Sequence, residues 1–216
     1  MNLPKSYHVN IIGDFGVGKT SIINSFKKLG FQDKNTTSTI GINNFLIPIK
    51  FENKELILNV YDTSGQEKYQ SLTLNSIRQC EGLILVYDRS DYKTFENICK
   101  VWIKSINEVI DLILTPCILV ENKCDLVLDS EIKEEKINEI IKQYSLKFIR
   151  TSVIDNKNIK EIFYNLAEMI INKKNQILIF DEKNNIDEVI YMGFVLVKEK
   201  LKDKKKRNIK NVNKYK

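Results

Sequence analysis

The stretch Gly13-Asp14-Phe15-Gly16-Val17-Gly18-Lys19-Thr20-Ser21 decides the fold of this chain. It follows a short apolar run, Val9 to Ile12, and leads into a helix-like pattern carried by Ile22, Ile23 and Phe26. Its glycines let the backbone curl so that successive N–H groups point at one anion. The helix that follows adds the partial positive charge of its N-terminus. Lys19 can reach the outer phosphates of a nucleotide, and the Thr20 hydroxyl can hold a Mg²⁺ ion. The spacing G-x-x-x-x-G-K-T between a strand and a helix is the P-loop pattern. By itself it predicts a phosphate site built by residues Asp14 to Ser21 and leaves the nucleotide open.

Outward from this loop, apolar runs alternate with helical periodicity. Tyr7–Gly13 reads as a buried strand and Thr20–Lys28 as the helix after it. Residues 29–44 are polar and irregular, and a loop of that length in a compact domain is usually functional. Phe45–Phe51 and Leu56–Asp62 read as a hairpin, with Pro48 marking the first run as an edge strand. Thr63–Arg78 is a second polar stretch. Leu83–Asp88, Cys117–Val120 and Phe148-Ile149 read as further strands. Phe95–Val109, Glu131–Tyr144 and Ile159–Ile171 read as helices. This alternation predicts an α/β fold: a six-stranded, mostly parallel sheet with one antiparallel edge strand and helices on both faces. Ligands of such sheets bind beyond the strand C-termini, where the P-loop lies.

The formal net charge of +6 over 216 residues is unevenly spread. Residues 198–216 hold ten Lys and Arg against two Asp and Glu, a net of +8, so the other 197 residues carry −2. A nucleic-acid surface on the domain is therefore not indicated. The cysteines Cys80, Cys99, Cys117 and Cys124 form no C-x-x-C, and His8 is the only histidine, so no zinc site is expected. Dispersed thiols without a secretory leader read as reduced and cytoplasmic. The apolar run Val189–Val197 is too short to span a bilayer. The expected organisation is a domain over residues 1–175 and an extension over 176–216 with this apolar run and the basic tail.

Three further stretches carry chemistry. In Asp62-Thr63-Ser64-Gly65-Gln66-Glu67, Asp62 can fix a Mg²⁺ ion through water. Gly65 leaves room for a terminal phosphate and its N–H can donate to it, and Gln66 can orient an attacking water. In Asn122-Lys123-Cys124-Asp125, the Asp125 carboxylate can accept from N1–H and the 2-amino group of guanine. Adenine offers no such pair, and a buried unpaired carboxylate is costly. Asn122 and the Lys123 stem would complete the base slot. Thr151-Ser152-Val153 can offer the guanine oxygen the N–H groups of Ser152 and Val153.

Together GDFGVGKT, STIG, YDTSGQE, ENKCD and TSV, in this order, resemble the Ras-superfamily small GTPases, and the Rab branch looks closest. Ser38-Thr39-Ile40-Gly41-Ile42 resembles a Rab switch sequence, and Leu85–Asp88 and Thr94–Ile98 look like the Rab strand and helix after the second switch. The resemblance runs from about Ser6 to Lys173. It implies a small G domain that binds GTP and GDP with Mg²⁺, with Thr39 completing the metal's coordination in the GTP state alongside Thr20 and Asp62. Gln66 would be the catalytic residue. Effectors would read Ile40, Gly41, Ile42, Phe45, Tyr69 and Arg78 in the GTP form. An exchange factor and a GTPase-activating protein would complete the set of partners, around a monomer.

The sequence departs from the family in five places, one of them the modest replacement of an alanine by Val153, whose backbone would still donate. Phe15 stands where relatives carry a small residue, beside the γ-phosphate and the glutamine, which implies slow hydrolysis. Phe31 lies one residue from the family's base-stacking position, which here is Gln32. Asn43-Asn44 replaces a common Asp-Phe. No cysteine follows Cys124 and residue 2 is Asn, so neither prenylation nor N-myristoylation is expected. Membrane contact would rest on the basic tail, at about 1 kcal/mol per residue near an anionic leaflet, and would place the protein peripherally on the cytosolic face of an endomembrane. The expected function is a Rab-like GTP-hydrolysing switch in vesicle traffic. The rival is a nucleotide-bound scaffold with little turnover. An ATP-using P-loop kinase or motor is disfavoured by Asn122–Asp125.

Overall fold

The structure, a computed structural model, describes residues 4–27, 42–51, 54–63, 70–126 and 132–183; side chains are described for all of these except residues 42, 51, 54, 70–73 and 177–183. In chain order the elements are β1 (Lys5–Ile12), α1 (Lys19–Phe26), β2 (Ile42–Phe51), β3 (Lys54–Thr63), α2 (Gln70–Ile77) and β4 (Gly82–Asp88). There follow α3 (Tyr92–Asn97), a π-helical turn (Ile98–Trp102), α4 (Ile103–Asn107), β5 (Cys117–Asn122), α5 (Glu134–Tyr144), β6 (Lys147–Arg150) and α6 (Ile159–Lys183).

The six strands form one sheet in the order β2-β3-β1-β4-β5-β6. β2 runs antiparallel to β3 and forms one edge, while the other neighbours are parallel. This is the expected architecture. Every residue of β4 and β5 is buried, as a parallel strand covered on both faces requires. Their side chains alternate between two cores. Ile84, Val86, Ile118 and Val120 pack with Ile22, Ile23, Phe163 and Leu166 of α1 and α6. Leu83, Leu85, Tyr87 and Leu119 pack with Phe95, Ile98, Trp102 and Ile137 on the opposite face.

Several boundaries differ from the sequence reading. β2 begins at Ile42, not Phe45, because ladder pairing to β3 down to Ile42↔Thr63 recruits polar Asn43 and Asn44. The second polar stretch contains helix α2, which buries Ile77 despite a largely polar sequence. The helix expected over Phe95–Val109 starts earlier, at Tyr92, capped by the Asp91 carboxylate accepting from Lys93 N. It is also broken by the π turn, which carries Ile98 and Trp102 into the core. β5 continues two residues past Val120. α6 continues past Ile171 to Lys183. Among the described residues, those up to Ile171 belong to one compact unit and those from Asn172 onward to a second.

Candidate functional site

The C-terminal ends of β1, β3, β4, β5 and β6 lie along one edge of the sheet, and each is followed by a stretch that the sequence singled out. After β1 the chain makes its loop and enters α1 at Gly18, which adopts φ 98. A Cβ there would lie 2.3 Å from Asn122 Nδ2, so only glycine fits both the backbone and the space. At Gly16, φ 80, nothing lies within 4 Å of where a Cβ would stand, so there the glycine answers to the backbone alone. The first turn of α1 carries no acidic side chain, leaving its N-terminal charge for an anion.

Lys19 is 5% exposed. Its ammonium donates to the carbonyls of Gly13 (2.8 Å) and Asp14 (2.7 Å), so it lies folded over the loop. Burial lowers its pKa to about 8, partly offset by the Asp62 and Asp14 carboxylates. The Thr20 hydroxyl donates to the Asp62 carboxylate. Asp62 is fully buried at the end of β3, where Thr63 Oγ1 ties that strand to Ile11 O of β1 at 3.1 Å. A hydroxyl and a carboxylate brought together beside a phosphate-type loop are the hard-oxygen donors that Mg²⁺ takes alongside water and phosphate. The residues present therefore fit the ion.

Asn97 and Trp102, which carry no site motif in the sequence, hold the loop through Asp14. Asp14 accepts from Asn97 Nδ2 (2.6 Å) and Trp102 Nε1 (2.7 Å). The Asp14 side chain is thus engaged by α3 and the π turn. In the sequence Trp102 falls inside the expected helix Phe95–Val109, in no motif that signals a polar role. The available signal was that an interior indole N–H needs an acceptor. Val17 is fully buried and Phe15 is 58% exposed. Ser21 is half-buried.

On the far side, Asn122 Nδ2 donates to Val17 O (2.8 Å) and its Oδ1 accepts from Thr151 Oγ1 (3.1 Å). Lys123 takes φ 62 and its ammonium pairs with Asp88 Oδ2 at 2.5 Å, which stretches the side chain across from β5 to the end of β4. Asp125 is half-buried, and among the described residues its carboxylate makes no hydrogen bond or ion pair. Thr151 O accepts from Cys124 N at 3.0 Å, joining the two loops. Ser152 and Val153 are buried. The Ser152 N–H donates to Lys157 O at 3.3 Å, so it is spent within its own loop.

Phe45 is half-buried on β2, with the Lys27 ammonium 5.1 Å from its ring centre. Arg78 is exposed. Ile42 pairs with Thr63 through the backbone. Phe31, Thr39, Ile40, Gly41, Gly65, Gln66 and Tyr69 lie outside the described residues, as do the Val189–Val197 run and the basic tail. No described helix is long and apolar enough to cross a membrane.

The Ras family model matches residues 8–172. Ras-related protein Rab-13 of Bos taurus is 37% identical over 163 residues, covering 76% of this chain and 79% of the relative. Ras-related protein Rab-8B of Homo sapiens is 37% identical over 168 residues, covering 77% and 79%. Ras-related protein Rab-10 of Diplobatis ommata is 36% identical over 165 residues, covering 76% and 80%. With the sheet order and the phosphate loop already described, these matches make the chain a Rab-like member of the Ras family of small GTPases, a family of guanine-nucleotide-binding GTP hydrolases.

Proposed function

We propose that this chain cycles between GTP and GDP as a slow, Rab-like switch in vesicle trafficking, on the cytosolic face of an endomembrane. The observation that carries the reading is the pair of hydrogen bonds made by Asn122, which donates to Val17 O in the phosphate loop and accepts from Thr151 Oγ1 in the third loop. One side chain thereby links what would be the phosphate end and the base end of a nucleotide. Lys19 would exchange its loop carbonyls for β- and γ-phosphate oxygens. Asp14 to Ser21 would wrap the phosphates with backbone N–H groups. Thr20, Asp62 and, with GTP, Thr39 would hold Mg²⁺, which when bound neutralises charge between the phosphates. Gly65 would meet the γ-phosphate and Gln66 would orient the water that attacks it. Asp125 would read the guanine edge, the Val153 N–H its oxygen, and Phe31 would stack on the base.

Ordering of residues around Ile40–Phe45 and Tyr69–Arg78 by the γ-phosphate would present the GTP form to effectors. An exchange factor and a GTPase-activating protein would act on the same loops. The Lys198–Lys216 cluster would add weak, salt-sensitive contact with anionic membranes. Nucleotide released from purified protein should be GDP or GTP, and excess ATP should not compete with it; displacement by ATP would overturn the reading. Gln66→Leu and Thr20→Asn proteins should retain different partners in pull-downs. Bound GTP that persists unchanged over many hours would favour the scaffold reading.

A further inference from the structure

Directly beneath the loops assigned to the base runs a transverse row of polar side chains. Tyr87 of β4, Glu121 of β5 and Arg150 of β6 are register neighbours across three strands. Glu121 is 3% exposed. Its Oε2 accepts from the Tyr87 hydroxyl at 2.6 Å, its Oε1 accepts from Arg150 Nε at 3.0 Å, and Arg89 Nε stands 3.9 Å from the same Oε1. The guanidinium of Arg150 also donates to Glu134 in the first turn of α5. Burial and the neighbouring Glu121 carboxylate hold the Tyr87 hydroxyl protonated, as a donor.

Such a row is a poor way to gain stability. Taking the Glu121 carboxylate out of water offsets most of what its pairing with the half-exposed Arg150 guanidinium gains. Its geometric effect is more specific. The residue after Glu121 is Asn122, and the residue after Arg150 is Thr151, whose N–H donates to Glu121 O at 2.8 Å. Asn158 Nδ2 closes the third loop onto Arg150 O at 2.8 Å. A change in spacing between Glu121 and Arg150 therefore passes straight to the loops holding Asp125 and Val153.

We infer that Glu121 and Arg150, braced by Tyr87, are positioning residues for base selectivity: they fix the separation of the two loops and so the fit of the guanine edge. This rests on the guanine-binding reading above. The test uses the full chain and compares affinity for GDP with affinity for inosine diphosphate, which lacks the 2-amino group. Melting temperature is measured on the same samples. Wild type should prefer GDP. Glu121→Gln and Arg150→Met should each cut that preference by about tenfold, Arg150→Lys should cut it less, and the double variant should lose no more than either single one. A lower melting temperature with the GDP preference intact would assign the row a purely structural role and overturn the inference. Should Glu121→Gln fail to fold, the half-exposed Arg150 and Tyr87→Phe give the same readout. A wild type without preference for GDP over ADP would overturn the guanine reading itself, which the variants cannot do.

Discussion

The indole N–H of Trp102 donates to the carboxylate of Asp14 across 2.7 Å. It joins the π turn after α3 to the loop that opens α1, and it connects residues 88 positions apart. Trp102 is 4% exposed, and breaking this bond leaves Asn97 as the acid's side-chain hydrogen-bond donor among the described residues. A lost hydrogen bond to a charged group costs about 1.5–3 kcal/mol.

Trp102→Phe should accordingly release GDP about tenfold faster, seen as displacement of a fluorescent GDP analogue. Trp102 is also the chain's only tryptophan. Its intrinsic emission should shift when nucleotide is stripped from the wild type, and the shift should shrink in Asp14→Ala. An emission blind to nucleotide would mean that the contact does not report on the loop.

Lys19 predicts an unusual pH response in the nucleotide-free protein. Burial pushes its pKa down to about 8 in the folded chain, against 10.5 for a lysine in water. Between these values the unfolded chain holds a proton that the folded chain has shed. Raising pH through that window therefore favours folding, by up to about 3 kcal/mol. Urea titrations at pH 7.5 and 10 should show this gain in wild type relative to Lys19→Met. A difference that does not change with pH would refute it.

Phe15 sits at the mouth of the phosphate loop, 58% exposed. If its ring obstructs Gln66, Phe15→Ser should speed single-turnover GTP hydrolysis by about tenfold or more, and with an activating protein added it should recover part of the 10³–10⁵ that an arginine finger supplies. Equal rates in the two proteins would remove the ring from the argument.

Phe163 joins α6 to the sheet, fully buried and 4.6 Å from Phe26 of α1 between ring centres. Phe163→Ala should cost about 3–5 kcal/mol, measured by chemical denaturation. A loss below about 1 kcal/mol would mean that the two helices repack around the gap.

The phosphate loop was legible because its chemistry is local. Glycines, a lysine and a threonine at fixed spacing determine a backbone shape and a charge together. The sheet was legible because β4 and β5 are apolar along nearly their whole length. What escaped was non-local. Glu121 carries no local signal at all; its meaning depends on Tyr87 and Arg150, which only strand register brings alongside. The π turn hid because Phe95, Ile98, Trp102 and Ile106 read as a plain amphipathic helix. α2 hid because its sequence is largely polar, with Leu74 and Ile77 the core-facing side chains among its described residues 74–77. The Ser152 N–H looked available until its return pairing to Lys157 came into view.

Pro48 lies midway along β2, the exposed margin of the sheet. Because proline has no N–H, the outward row of donors along that margin is interrupted at its centre. Another polypeptide could not zip onto it by main-chain pairing from end to end. Molecules arriving on that flank must be sorted by side-chain shape, with Leu46, 57% exposed, the apolar foothold nearest the gap. The same interruption guards the protein against open-ended stacking into fibres.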